Sequence, residues 1–215
     1  MPPAALARLS VSRTHAAYLA AIVYLALALA SYLCYPGTYS PLRNWLSDLG
    51  NSLTNTKGAV FYNAGCTMAN LLLIVFYLSM SVWRTGDKVL GRLLAVAQIS
   101  GVFSSLALIL SAVINIGRNP SLHSRFSMFL TIGLTWFLSF ANTALLRHPH
   151  FKKWIGVYGF AGAVVTFVYG VLVNTPLGEW VTIGMFISYV VLLAVNARLL
   201  EEAESSTPAQ AGAPK

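Results

Sequence analysis

Residues 91–116 read GRLLAVAQISGVFSSLALILSAVINI, and after Arg92 no charged side chain occurs until Arg118. A helix must run through about 20 such residues to cross the hydrocarbon core of a bilayer, and this stretch is long enough. Working outward, apolar runs of similar length recur near His15 to Cys34, Gly58 to Val82, His123 to Leu146, Trp154 to Val173 and Glu179 to Ala197. With Gly91 to Ile116 these predict six membrane-spanning helices. The fold class expected is therefore all-α, an integral membrane six-helix bundle.

Composition agrees. Of 215 residues, 57% are hydrophobic and 9% charged, and the mean hydropathy is +0.68. Soluble domains carry roughly a quarter charged residues, so lipid is the main solvent here. Six crossings leave room for one transmembrane domain over residues 1–200, followed by a polar tail over 201–215. That tail is rich in Ser, Thr, Pro and Ala after Glu201, Glu202 and Glu204, has nothing to bury, and is expected to be a disordered cytoplasmic extension.

The formal net charge of +8 does not point to nucleic acid, because the basic residues sit singly or in pairs between apolar runs. They orient the chain instead. One side carries Arg8, Arg13, Arg84, Lys88, Arg92, Arg147, Lys152, Lys153, Arg198 and Lys215, and the other only Arg43, Lys57, Arg118 and Arg125. The positive-inside rule then predicts both termini in the cytoplasm, for a multi-pass protein of the plasma membrane, or of the inner membrane in a double-membraned bacterium. Arg8 and Arg13 before an apolar run ending Ala28-Leu29-Ala30 have the look of a signal peptide, but the run is too long for an h-region, and an uncleaved first helix is expected. No repeat of transporter type stands out.

The loop from Tyr35 to Lys57 carries its own helix signals: Ser40 as N-cap, Pro41 at the first helical position, and Gly50 as a stop. A short interfacial helix from Pro41 to Leu49 is predicted in this first outer loop, with Leu42, Trp45, Leu46 and Leu49 on one face. Asp48 would then lie in the last turn, where the macrodipole disfavours an acid. A cationic partner is expected, from Arg118 or Arg125.

The inferred topology gathers Asn44, Ser47, Asp48, Asn63, Asn115, Arg118, His123, Arg125 and Glu179 at the outer leaflet. Ionisable groups at membrane depth are candidates for function when they face inward, and end-of-helix groups also serve as ordinary interface anchors. As a ligand site, this layer offers charge-assisted donors from Arg118, Arg125 and His123 to an anionic head group. Gln98, Asn142 and Asn70 lie deeper, and the expected role for them is interhelical hydrogen bonding. Gly159 and Ala163 form a small-xxx-small pair for close packing.

The stretch Asn44-Trp45-Leu46-Ser47-Asp48-Leu49-Gly50, followed by Ala59-Val60-Phe61-Tyr62-Asn63-Ala64-Gly65 opening a span, resembles the signature of the DUF998 family of small multi-span membrane proteins. More distantly it resembles the Frag1/DRAM/Sfk1 group. The short loop from Gly117 to His123 fits the same layout, and the resemblance covers about the first two thirds of the chain. It implies the fold and carries no activity.

Enzyme readings lack their constellations. Pro120-Ser121-Leu122-His123 looks like one element of membrane lipid phosphatases, yet the later His148 and His150 fall on the opposite side. Zinc hydrolysis would need three ligands on one face, where His123 stands alone. A Ser47, His123 and Asp48 triad is awkward, since adjacent residues on a helix point about 100 degrees apart. No cofactor motif is present: Cys34 and Cys66 have no metal or disulfide spacing, and no Gly-rich phosphate loop occurs. The function expected is binding of a membrane lipid or another anionic amphiphile. A scaffold or accessory subunit with a membrane-protein partner is the alternative, and a membrane-embedded lipid hydrolase the third.

Overall fold

A computed structural model of the chain describes residues 3–206, with side chains from residue 15 to residue 199. All regular structure among the described residues is helical: α1 (Pro3–Leu33), α2 (Ala59–Ser79), α3 (Lys88–Ile114), α4 (Pro120–Leu145), α5 (Lys153–Phe167) and α6 (Pro176–Ser206). A 3₁₀ turn, Met80–Trp83, continues α2, and a π-helical turn, Val168–Val173, continues α5. Among the described residues, six segments are long and apolar enough to cross a membrane. The polar tail that begins at Glu201 lies beyond Ser206 for most of its length, outside the described residues.

Several helices start earlier than apolarity alone suggests, because polar caps lie upstream of the apolar run. The Asp87 carboxylate accepts from the Val89 and Leu90 amides at the start of α3. Asn119 caps α4 through Leu122 N–H, with Pro120 just inside the helix.

Each helix packs against its neighbour in sequence, and α6 returns to α1, so the six close into a ring. On α1 the inward stripe is built mostly from small residues. Ala16, Ala17, Ala20 and Tyr24 are buried, while Leu19, Ile22, Leu25 and Leu29 face out. In lipid, large apolar side chains gain little from turning inward, and small ones allow backbones to approach. At the centre, Phe137 stacks edge-on against Tyr77, with ring centroids 4.8 Å apart, and lies 6.2 Å from Tyr189.

The deeper polar residues divide. Gln98 donates from α3 to the Tyr77 carbonyl at 2.8 Å, and Tyr189 on α6 donates to Asn142 Oδ1 on α4 at 2.9 Å. Both are interhelical, as expected. Asn70 is not: its amide bonds the Cys66 carbonyl one turn back on its own helix.

The first loop also departs from expectation. Its helix spans only Leu46–Gly50 and is of 3₁₀ type, preceded by a single turn in which Ser40 O accepts from Arg43 and Asn44. In a continuous helix from Pro41, the Trp45 amide would bond the Pro41 carbonyl. Instead it donates to Asp48 Oδ2 at 2.9 Å, and Asn44 Oδ1 captures the Ser40 amide. Asp and Asn side chains competing for backbone donors break the helix in two. Leu46 and Leu49 are buried, but Leu42 is 71% exposed, so the predicted single apolar face does not form.

Candidate functional site

This loop folds over one end of the ring as a cap, and its 3₁₀ turn touches α1, α2 and α6. The fastening is Asn55, which is fully buried. Its amide donates to Ser31 Oγ at 3.0 Å, to Leu49 O at 2.9 Å and to Ser31 O at 3.3 Å, and its carbonyl accepts from Gly58 N–H. Ser31 Oγ donates to the same Leu49 carbonyl. One amide thus ties the end of α1, the cap and the start of α2. Neither Asn55 nor Ser31 carries a sequence signal for this role, because one lies in a polar loop and the other in an apolar span.

Around this fastening the predicted polar residues find partners within the protein. Asn63 on α2 donates to Gly50 O at 2.9 Å. A Cβ at Gly50 would meet the Asn63 amide and the Tyr62 ring, so the approach requires glycine. Glu179, in the first turn of α6, accepts from the Ser47 amide at 3.4 Å, and Trp180 Nε1 reaches Asn44 O at 3.4 Å. Tyr39 donates to Trp45 O at 2.6 Å. Asn115, buried at φ 25°, accepts from Ser52 Oγ and from the Gly117 and Arg118 amides, tying the α3–α4 loop to the cap.

Asp48 finds the Trp45 amide rather than an arginine: among the described residues no ion pair joins it to Arg118 or Arg125. Burial pushes its carboxyl above the usual range, against the pull of the Trp45 amide and Asn44. The Tyr39 phenol is raised as well, first by burial and then by the nearby Glu179 and Asp48 charges. These two acids therefore share one half-buried polar patch under the cap.

His123 is buried on α4 and faces α3. Its Nδ1 lies 3.0 Å from both the Ser111 carbonyl and Ser111 Oγ. A carbonyl oxygen can only accept, so its contact assigns the proton to Nδ1. A protonated Nδ1 cannot take a proton from Ser111, and the Ser47 backbone amide and side chain both turn to the Glu179 carboxylate rather than to His123. Among the described residues no three His, Cys, Asp or Glu side chains come together to hold a metal ion.

Arg118 and Arg125 stand apart from the rest. Both side chains are exposed, as are Arg43 and Lys57 at the same end. Six of the nine predicted residues thus build or brace the cap, His123 instead joins α4 to Ser111 on α3, and the two arginines remain exposed at the same end.

A family model described as "Protein of unknown function (DUF998)" matches residues 18–198. No curated protein and no solved structure matches the chain.

Proposed function

The chain belongs to the DUF998 family, whose description names no activity, and we propose from its own geometry that it binds a lipid or another anionic amphiphile at the capped end. The reading places both termini in the cytoplasm and the cap at the outer leaflet, following the charge asymmetry of the loops. The observation that carries it is the rim: Arg118 and Arg125 are exposed, and no hydrogen bond within the described residues engages their side chains. Cations at that depth meet head-group phosphates, where Arg makes bidentate charge-assisted bonds. Asp48, Glu179 and His123 act behind them as the frame that fixes the rim.

Titration with phosphatidylglycerol or phosphatidylcholine micelles tests this, with thermal unfolding as the readout. The anionic lipid should raise the midpoint of the wild type more than the zwitterionic one, and Arg118→Gln/Arg125→Gln should erase the difference. A charge-assisted bond contributes about 1.5–3 kcal/mol, so each lost arginine should weaken the anionic lipid by about tenfold or more. Equal responses of both proteins to both lipids would remove the head-group reading.

A scaffold role has its own support, because Asn44, Ser47, Asp48, Asn63, Asn115, His123 and Glu179 all bond inside the protein. On that reading the arginine variant behaves as wild type, and the lipid-facing helices meet a protein partner. The distant likeness to the Frag1/DRAM/Sfk1 group rests on Ser47 to Gly50 and adds no activity to either reading.

A further inference from the structure

Between the helices lies a partly open cavity of about 40 Å³, walled by α1, α2, α3, α4 and α6. Since one water needs roughly 10–15 Å³ by this measure, it has room for about three waters or a short hydrocarbon segment. Its lining is apolar apart from Tyr24 and Asn70, with Ala20, Leu134 and Phe186 among the walls.

Asn70 is 4% exposed. Its Nδ2 donates to the Cys66 carbonyl at 2.8 Å, which fixes the amide orientation because the opposite one would set two acceptors face to face. No described residue donates to its Oδ1. An amide oxygen away from water and without a donor in the protein is costly, and Asn70 lines the open space of this pocket. Tyr24 offers little relief within the protein, since its hydroxyl lies 3.5 Å from that of Tyr62, beyond a good O–H···O distance.

We propose that this cavity binds the hydroxyl-bearing segment of an aliphatic molecule, an alcohol in chemical class, with the hydroxyl donating to Asn70 Oδ1 and the carbon chain against Ala20, Leu134 and Phe186. Water is the poorer occupant. Buried waters take two to four polar partners each, and three of them would share one amide oxygen and one phenol. A single alcohol satisfies the amide and fills the remaining space with hydrocarbon. The assignment rests on the cavity walls and is independent of the arginine rim.

Thermal unfolding in micelles with 1-hexanol or n-hexane at equal mole fraction tests it on the wild type, Asn70→Leu and Ala20→Leu. Effects of the additives on the micelle are common to all three proteins and cancel in the comparison. The wild type should gain a higher midpoint from 1-hexanol, Asn70→Leu should lose that gain while keeping its response to n-hexane, and Ala20→Leu should lose both. If Ala20→Leu does not fold, Ala20→Val fills less of the space and should weaken both responses. An identical 1-hexanol response in the wild type and Asn70→Leu, or one that filling the cavity leaves unchanged, overturns the assignment.

Discussion

Replacing Asn55 with alanine will cost about 2–4 kcal/mol, because the side-chain hydrogen bonds of one fully buried amide are lost at once and each contributes about 0.5–1.5 kcal/mol. The groups affected are the Ser31 and Leu49 oxygens and the Gly58 amide. Stabilities of small domains are themselves only about 5–15 kcal/mol, so this loss takes a large share. Unfolding followed by thermal or denaturing-detergent titration measures it. Thr54→Ala, exposed and next in the chain, is the control and should stay within about 0.5 kcal/mol of wild type. If the two variants unfold alike, Asn55 does not fasten the cap.

The second large effect lies at the other end of the ring. A Cβ on Gly159 would run into the Asn142 amide and the Tyr189 ring, the two groups whose hydrogen bond joins α4 to α6. Gly159→Ala is therefore expected to destabilise by about 1–3 kcal/mol through overpacking, and Gly159→Leu to give no folded protein. Gly184 on α6 is the contrast. A Cβ there meets nothing within 4 Å, so Gly184→Ala should gain up to about 1 kcal/mol from helix propensity. Matched unfolding curves of the alanine variants decide the point: similar midpoints would mean that α5 tolerates a wider approach to its neighbours.

These effects mark where sequence reasoning reaches and where it stops. The six spans are legible because a bilayer imposes a length and a composition on each helix. The caps at Asp87 and Asn119, which set where α3 and α4 begin, are not read from the apolar runs. The polar layer is legible as a level, since Asn63, Asn115, His123 and Glu179 all sit at helix ends on one side. What each residue does at that level is not legible. Asp48 takes the Trp45 amide and breaks the expected helix, a competition between two local bonds that helix periodicity does not register. Asn55 and Ser31 meet across 24 positions of sequence, and their pairing exists only once α1 and α2 have packed. Asn70 reads like Gln98 and Asn142, yet its amide bonds its own helix and it lines the open pocket.

The cap also changes what the polar residues offer to a ligand. On the proposed reading, with the amides and acids engaged in the protein's own backbone, recognition of an anionic lipid would fall to the exposed Arg118 and Arg125. Native mass spectrometry of the protein released from mild detergent tests this most directly, with the wild type and Arg118→Gln/Arg125→Gln measured side by side for bound lipid. The account predicts a discrete anionic-lipid adduct on the wild type and its loss from a variant that remains folded. An adduct retained equally by both proteins, or a wild type without any specific lipid, would contradict it.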